Sequence, residues 1–142
     1  MSAAKLLKPH LYDAADGARP GAACTLRGGR CGRCGYVFFP LQRYGCERCG
    51  AHGDALAPAT LSGQGVLLAS AAVHVHEGRH PAPFVVGTVQ LRDGPVVRTL
   101  LDHDPAAPAL APGQPLQAVL RSAGIDEDGQ PLLDLRFAPT TA

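Results

Sequence analysis

A mainly β fold is predicted for this chain, and three observations carry the prediction. Gly (17) and Pro (13) together exceed a fifth of the 142 residues, a composition suited to short strands and turns rather than long helices. Aromatic residues make up 5% and Trp is absent, so the core must be assembled from Val, Leu and Ala. Apolar residues recur in short runs separated by Gly, Pro and Asp-Gly breakers, the spacing of strands in a small β domain. The length allows one ordinary domain, or a small domain with a metal module attached. Three segments are expected: an arm over 1–23, a cysteine module over 24–60 and a strand-rich domain over 61–142.

Within the arm, Ala3 to Ala15 reads as a weak helical stretch interrupted by Pro9, and Gly17-Ala-Arg-Pro-Gly21 breaks the chain. Such an arm cannot bury a core alone, so it lies on the rest of the chain or on a partner. In the cysteine module, Tyr36 to Pro40 reads as a short strand leaving the first cysteine pair, and residues 41–45 turn the chain back to the second. Five strands follow. Gly65 to Glu77 is a long apolar run ending in the alternation Val73-His-Val-His76, and Phe84 to Arg92 comes after a Pro-containing loop. Asp93-Gly94 is a hairpin signal leading to Val96–Asp102. Pro105 to Gln114, rich in Ala and Pro, separates these from Leu116–Arg121 and Leu132–Phe137, which are joined by a turn ending in Asp128-Gly129. Leu133, Leu135 and Phe137 share one face of the last strand. Five strands with a break after the third suit a partly open Greek-key barrel of the OB type, with other small β-barrels still open on strand count alone.

The chemistry concentrates in the cysteines. Cys31-x2-Cys34 and Cys46-x2-Cys49 stand eleven residues apart, each pair followed by Gly. Two intervening residues let the chain curl so that both sulfurs face one point, and Gly35 and Gly50 can adopt positive φ to close the turns. Four thiolates in a tetrahedron are what a structural zinc ion prefers, and Arg33 and Arg48 would offset the charge of the site. Iron in the same cage is the chemical alternative. Redox-active pairs are disfavoured because no thioredoxin-like βαβ pattern surrounds them. All four positions are filled by protein, so the metal is expected to replace a core too small to fold alone rather than to catalyse. Cys24 lies outside the knuckles with no base beside it, and is read as a passive thiol.

The remaining candidates have simpler explanations. His74 and His76, with His80 near, alternate on one strand face and could serve a metal or as a base, but the alternation equally describes a solvent-facing strand side. Asp102-His103-Asp104 lacks a nucleophile motif and reads as a loop. Ser62-Gly-Gln-Gly65 is too short and misplaced for a phosphate loop and reads as a turn into the first barrel strand.

Charge is unevenly divided. Residues 1–50 carry eight Lys/Arg against three acidic residues, and residues 51–142 carry five Arg against nine. The basic half, with Arg30, Arg33, Arg43 and Arg48, could meet an anionic ligand or could be solvated surface. No apolar run approaches the ~20 residues of a membrane span. Met1 to His10 lacks the apolar core of a secretory signal, and paired cysteines without disulfide partners suit a reducing compartment, so a cytoplasmic location is expected.

The order of these pieces resembles the DUF35 family. The shared pattern is a Cys-x-x-Cys-Gly knuckle, the aromatic segment Phe38-Phe-Pro40, a second knuckle, and Ser62-Gly-x-Gly65. It continues with Pro83-Phe-Val-Val-Gly-Thr-Val-Gln-Leu91 before Asp93-Gly94, then Pro112-Gly-Gln-Pro-Leu116 and a closing Leu135-Arg-Phe137. The resemblance spans residues 24–139. The second knuckle lacks the Pro that often follows its first Cys, and the aromatic often found before Ser-Gly-x-Gly is missing. The resemblance implies a rubredoxin-like zinc ribbon joined to an OB barrel. It also implies a non-catalytic accessory subunit of acyl-CoA metabolism, in hetero-oligomeric complex with a thiolase-fold acyltransferase, or with a hydratase or aldolase. It would help to hold coenzyme A or its thioester and complete the partner's active site. Arg30, Arg33, Arg43 and Arg48 are then the candidates for the CoA phosphates.

Two other functions compete. Zinc ribbons and OB barrels also bind single-stranded nucleic acid, but that use needs positive charge and stacking aromatics, whereas residues 51–142 are net acidic and hold only Phe84 and Phe137. An electron carrier of the rubredoxin kind would require iron and a red protein.

Overall fold

A computed structural model describes residues 4–78 and 81–141 of the chain. It is built of ten strands, with a single 3-10 turn at Gly53–Ala55 and no α-helix among the described residues. Among the described residues no helix is long and apolar enough to cross a membrane.

The barrel consists of β6 (Gln64–Val73), β7 (Phe84–Leu91), β8 (Val96–Leu101), β9 (Pro115–Ile125) and β10 (Pro131–Pro139). The β6–β7 and β7–β8 pairs are antiparallel, and so is the β9–β10 hairpin. β10 then lies parallel to β8 through Phe137 and Leu101, and β9 pairs with the start of β6, which closes the ring of five strands. The long Pro105–Gln114 connection lets the chain leave β8 and return two strands away, the crossing a Greek key requires. The barrel is thus an OB-fold, closed rather than partly open. Its interior is lined by Leu67, Val89, Leu91, Leu116, Leu120, Leu133 and Phe137, all buried. Leu135 packs against this cluster, on the same face as Leu133 and Phe137.

The arm departs from the helical expectation. Lys5–Leu6 is a strand, β1, parallel to β10, and Tyr12–Ala14 is a strand, β2, antiparallel to β3 (Cys24–Cys31). Pro9 and the breaker cluster leave no stretch long enough for an isolated helix, whereas two waiting strand edges supply backbone partners at once. Leu7 N–H donates to the Leu133 carbonyl at 2.8 Å, and Tyr12 is 1% exposed, so the arm lies on the rest of the chain.

β3 is the spine of a second sheet, flanked by β2, the short β4 (Val37–Phe38) and β5 (Leu56–Leu61). Its first half joins the barrel. Ala23 bridges Val119, and Cys24, Leu26 and Leu61 share the barrel's core. Its far end carries a separate small core of Cys31, Phe38, Cys46, Ala51 and Leu56. Gly29 is needed where the Phe38 ring lies across the strand, since a Cβ there would meet ring carbons.

Gly63 holds the junction between the two sheets. Its φ is +78°, its carbonyl accepts the Ala118 N–H at 2.7 Å, and a Cβ would collide with the Cys24 carbonyl oxygen. Gly129 has a similar φ of +77° but open space around it. Gly63→Ala is therefore expected to cost at least about 2 kcal/mol from strain and collision together, and Gly129→Ala about 1 kcal/mol from conformation alone. Urea denaturation of the two variants checks the difference. Equal midpoints would show that the junction yields freely.

Candidate metal centre

The two cysteine knuckles are built alike. In the first, Gly35 N–H donates to the Cys31 carbonyl at 2.8 Å, and Cys31 N–H donates to the Tyr36 carbonyl at 2.8 Å. In the second, Gly50 N–H donates to the Cys46 carbonyl at 2.9 Å, and Cys46 N–H donates to the Ala51 carbonyl at 2.7 Å. Both turns close on a glycine in the left-handed region, with φ of 80° at Gly35 and 79° at Gly50. This local geometry aims the two sulfurs of each pair at a common point.

The knuckles face one another. Sγ of Cys31 lies 3.6 Å from Sγ of Cys49, and Sγ of Cys34 lies 3.6 Å from Sγ of Cys46. All four ligand atoms fall within 4.8 Å of one another. A tetrahedral site with metal–sulfur bonds of about 2.3 Å has sulfurs about 3.8 Å apart, so the arrangement fits a metal ion without rearrangement. Cys31 and Cys46 are buried, Cys49 is half-buried and Cys34 faces solvent. The Cys34 N–H, then that of Arg33, favours the Cys31 thiolate and brings its pKa down to about 6 against the burial that opposes it. Burial resists ionisation of Cys46, but the Arg48 and Cys49 N–H groups more than offset it and lower its pKa. The donors that stabilise thiolates are thus built into the knuckle backbone. No other His, Cys, Asp or Glu group among the described residues gathers ligand atoms in this way.

The four arginines are exposed on the outside of this module. Arg43 sits 3.9 Å from Asp54, and the Arg48 guanidinium lies over the Tyr36 ring, 5.7 Å from its centre. Arg48 also lines a cleft of about 630 Å³ between the knuckles and the β7–β8 turn, with Tyr36, Phe39 and Val96 among its walls. Arg30, Arg33 and Arg43 do not line that cleft.

The histidine alternation does not extend the first barrel strand. β6 ends at Val73, so His74 and His76 follow the strand and do not share a strand face; His76 packs edge-on against Phe84, ring centres 5.2 Å apart. β6 loses its pairing with β7 at the Val73–Phe84 rung, and no further partner holds the chain extended. His80 lies outside the described residues. Asp102 pairs with Arg121 at 2.7 Å, His103 Nε2 bonds the Pro108 carbonyl, and Asp104 accepts the Ala106 N–H, which leaves this triplet a loop. Ser62-Gly-Gln-Gly65 is the turn into β6, pinned by Ser62 to Asp93. Cys24 is buried, and burial, then the charge of Asp134, pushes its thiol up to about 12, so it stays protonated and inert.

A second polar cluster escapes sequence reasoning. Asp134 is 7% exposed beneath the arm. It accepts the Tyr12 hydroxyl at 2.7 Å and the Leu135 N–H at 2.8 Å, and meets Arg136 at 3.1 Å and Lys8 at 3.4 Å. Burial opposes its ionisation, but the Tyr12 hydroxyl, the Leu135 N–H, Lys8 and Arg136 outweigh it and hold its carboxyl below the usual range. Strand alternation puts Asp134 opposite Leu133 and Leu135, on the face expected to meet solvent; only the docked arm buries it.

A four-cysteine ribbon joined to an OB barrel through a shared core is the class of protein this structure defines. The model of the family described as "ChsH2, C-terminal OB-fold domain" matches residues 59–121. The solved chain described as "Ltp2-ChsH2(DUF35) aldolase" is similar over 82% of this chain and 86% of its own, with a TM-score of 0.57 and 26% identity. Together these matches support a DUF35-family protein with an OB-fold.

Proposed function

We propose that this chain is a non-catalytic, zinc-containing accessory subunit of an acyl-CoA-processing complex, with a thiolase-fold acyltransferase as its partner. The accessory-subunit part of this reading is supported by the similarity, across most of the chain, to a solved chain whose description couples ChsH2 to Ltp2; the thiolase-fold partner comes from the DUF35 resemblance alone. Cys31, Cys34, Cys46 and Cys49 would hold zinc as a structural ion, since all four positions of the tetrahedron are taken by protein and none is left for water or substrate. No nucleophile–base pair among the candidates weighed above competes with that reading. Nucleic acid is a poor ligand, because Phe137 is fully buried and cannot stack on a base.

The CoA phosphates would meet the basic side of the ribbon, with Arg48 at the cleft against the barrel and Arg30, Arg33 and Arg43 beyond it. Arg48→Ala is expected to raise the complex's KM for its CoA thioester about tenfold with kcat little changed, the loss of one charge-assisted contact. An unchanged KM for this variant and for Arg30→Ala, Arg33→Ala and Arg43→Ala would remove the assignment.

A second reading, an aldolase as partner, takes its support from the word in the description of the similar chain. Affinity purification of the tagged chain from its native host, followed by mass spectrometry, separates the two. Stoichiometric recovery of a thiolase-fold acyltransferase supports the first and of an aldolase the second, while recovery of the chain alone or with nucleic acid defeats both.

A further inference from the structure

The barrel closes at one rung between β8 and β10. β10 pairs with β9 along its length but meets β8 only where Phe137 lies beside Leu101. Ahead of that rung, Val97–Leu100 on one strand and Asp134–Arg136 on the other line a cavity of about 260 Å³. The arm adds Lys8, Leu11 and Tyr12 to its walls and the ribbon adds Phe39, so arm, ribbon and barrel meet there. Phe39 is the one residue this cavity shares with the Arg48 cleft.

Three cations line the cavity, Lys8, Arg98 and Arg136, against the single carboxylate of Asp134. That carboxylate is already saturated. One of its oxygens accepts the Tyr12 hydroxyl and the Leu135 N–H, and the other accepts Lys8 and Arg136. Arg98 is exposed and makes no ion pair among the described residues. The Arg136 side chain is only 15% exposed and uses Nη1 alone, on Asp134 and on the Leu135 carbonyl. Its Nε and Nη2 have no acceptor among the described residues, yet they are not closed off from solvent. Two positive charges thus remain uncompensated in a recess whose other walls include Leu11, Phe39, Leu100 and Leu135. Cations drawn this far out of water need an anion to balance them.

We infer that this cavity binds a small carboxylic acid with a short apolar body. Its carboxylate would take the free donors of Arg136 and Arg98, with Lys8 beside them, and its body would lie against Leu100, Leu135 and Phe39. The planar guanidinium fork matches a carboxylate two bonds at a time. The apolar walls favour an anion that carries carbon over a bare one such as phosphate. The volume falls just below that of pockets for drug-sized ligands, which suits a smaller molecule. This inference stands apart from the accessory-subunit reading, since it uses neither the metal nor a partner enzyme.

Calorimetric titration of the full chain tests it with four probes: hexanoate, hexanamide, acetate and inorganic phosphate. Hexanoate is expected to bind saturably, one per chain, and at least tenfold more tightly than each of the others. The amide tests the charge, acetate the apolar body, and phosphate the preference for carbon. Arg98→Gln and Lys8→Gln should each weaken hexanoate at least fivefold, and both alter side chains that reach solvent, so the fold is kept. Arg92→Gln, exposed on the β7–β8 turn and outside the cavity, should leave affinity unchanged. Amide shifts on adding hexanoate should concentrate in residues 97–100 and 134–137. No saturable binding of hexanoate, any other probe binding as tightly, wild-type affinity in Arg98→Gln or Lys8→Gln, or shifts concentrated elsewhere would overturn the proposal.

Discussion

Cys46→Ser is expected to yield a chain that retains less than about a tenth of a metal ion and whose residues 31–56 exchange their amide protons freely. The small core around the knuckles consists of Cys31, Phe38, Cys46, Ala51 and Leu56, so two of its five buried members belong to the four-cysteine cluster that could hold a metal ion. Without the metal those sulfurs become crowded thiols, and too little apolar surface remains to order the loops. The barrel should survive, because its interior is closed by its own five strands and takes only the near half of β3 into its core. Metal analysis with hydrogen exchange followed by mass spectrometry checks both halves of the expectation. Full metal content in the variant, or protection lost equally over residues 64–137, would contradict it. Chelation of the wild-type chain should reproduce the pattern and re-addition of zinc reverse it.

The second large effect lies at Asp134. Asp134→Ala is expected to cost about 3–5 kcal/mol, since it removes the 2.7 Å acceptor of the buried Tyr12 hydroxyl and leaves Arg136 without its carboxylate. Tyr12→Phe removes the short bond to Asp134, the longer one to the Leu133 carbonyl and the acceptor of the Lys8 N–H, and should cost about 1–2 kcal/mol. The Lys8 contribution is small, because that side chain is 49% exposed and screened by solvent. The pH dependence has a definite sign. The folded carboxyl titrates below its unfolded counterpart, so its contribution is complete above the unfolded value of about 4 and disappears as pH falls through the folded one. Urea denaturation of wild type and Asp134→Asn at pH 7 and pH 3 should show a gap that narrows at the lower pH. A constant gap would mean that shape, not charge, accounts for the loss.

Asp134 also joins the arm to the barrel, and it marks where reading by residue type ended. The cysteine site was legible because each knuckle is local. Cys-x-x-Cys-Gly sets its own turn, the glycine supplies the positive φ, and only the meeting of two such turns had to be supplied by the fold. The barrel strands were legible for the same reason, each bounded by its own breakers, and Phe137 faced inward as the alternation of β10 required. The strand count and the break after the third were local signals too.

Closure and partnership were not local. The β8–β10 parallel contact joins residues far apart in sequence, and no periodicity encodes it. Ala3 to Ala15 carried a weak helical pattern that a strand edge overrode, because backbone groups pair with whatever partner the tertiary structure brings near. The His74–His76 alternation looked like strand and was not, since alternation without a pairing neighbour does not hold a chain extended. The cation cluster between β8 and β10 and the carboxylate beneath Tyr12 exist only once the elements are assembled. The sequence by itself determined the four-cysteine cluster and the five barrel strands, because those depend on neighbours within a few residues, but not β1, β2, β3 or β5, which are strands only through their pairing partners. Tertiary structure decided what the arm covers, where the barrel closes and which polar groups are left wanting a ligand, because burial and pairing are properties of the assembled chain.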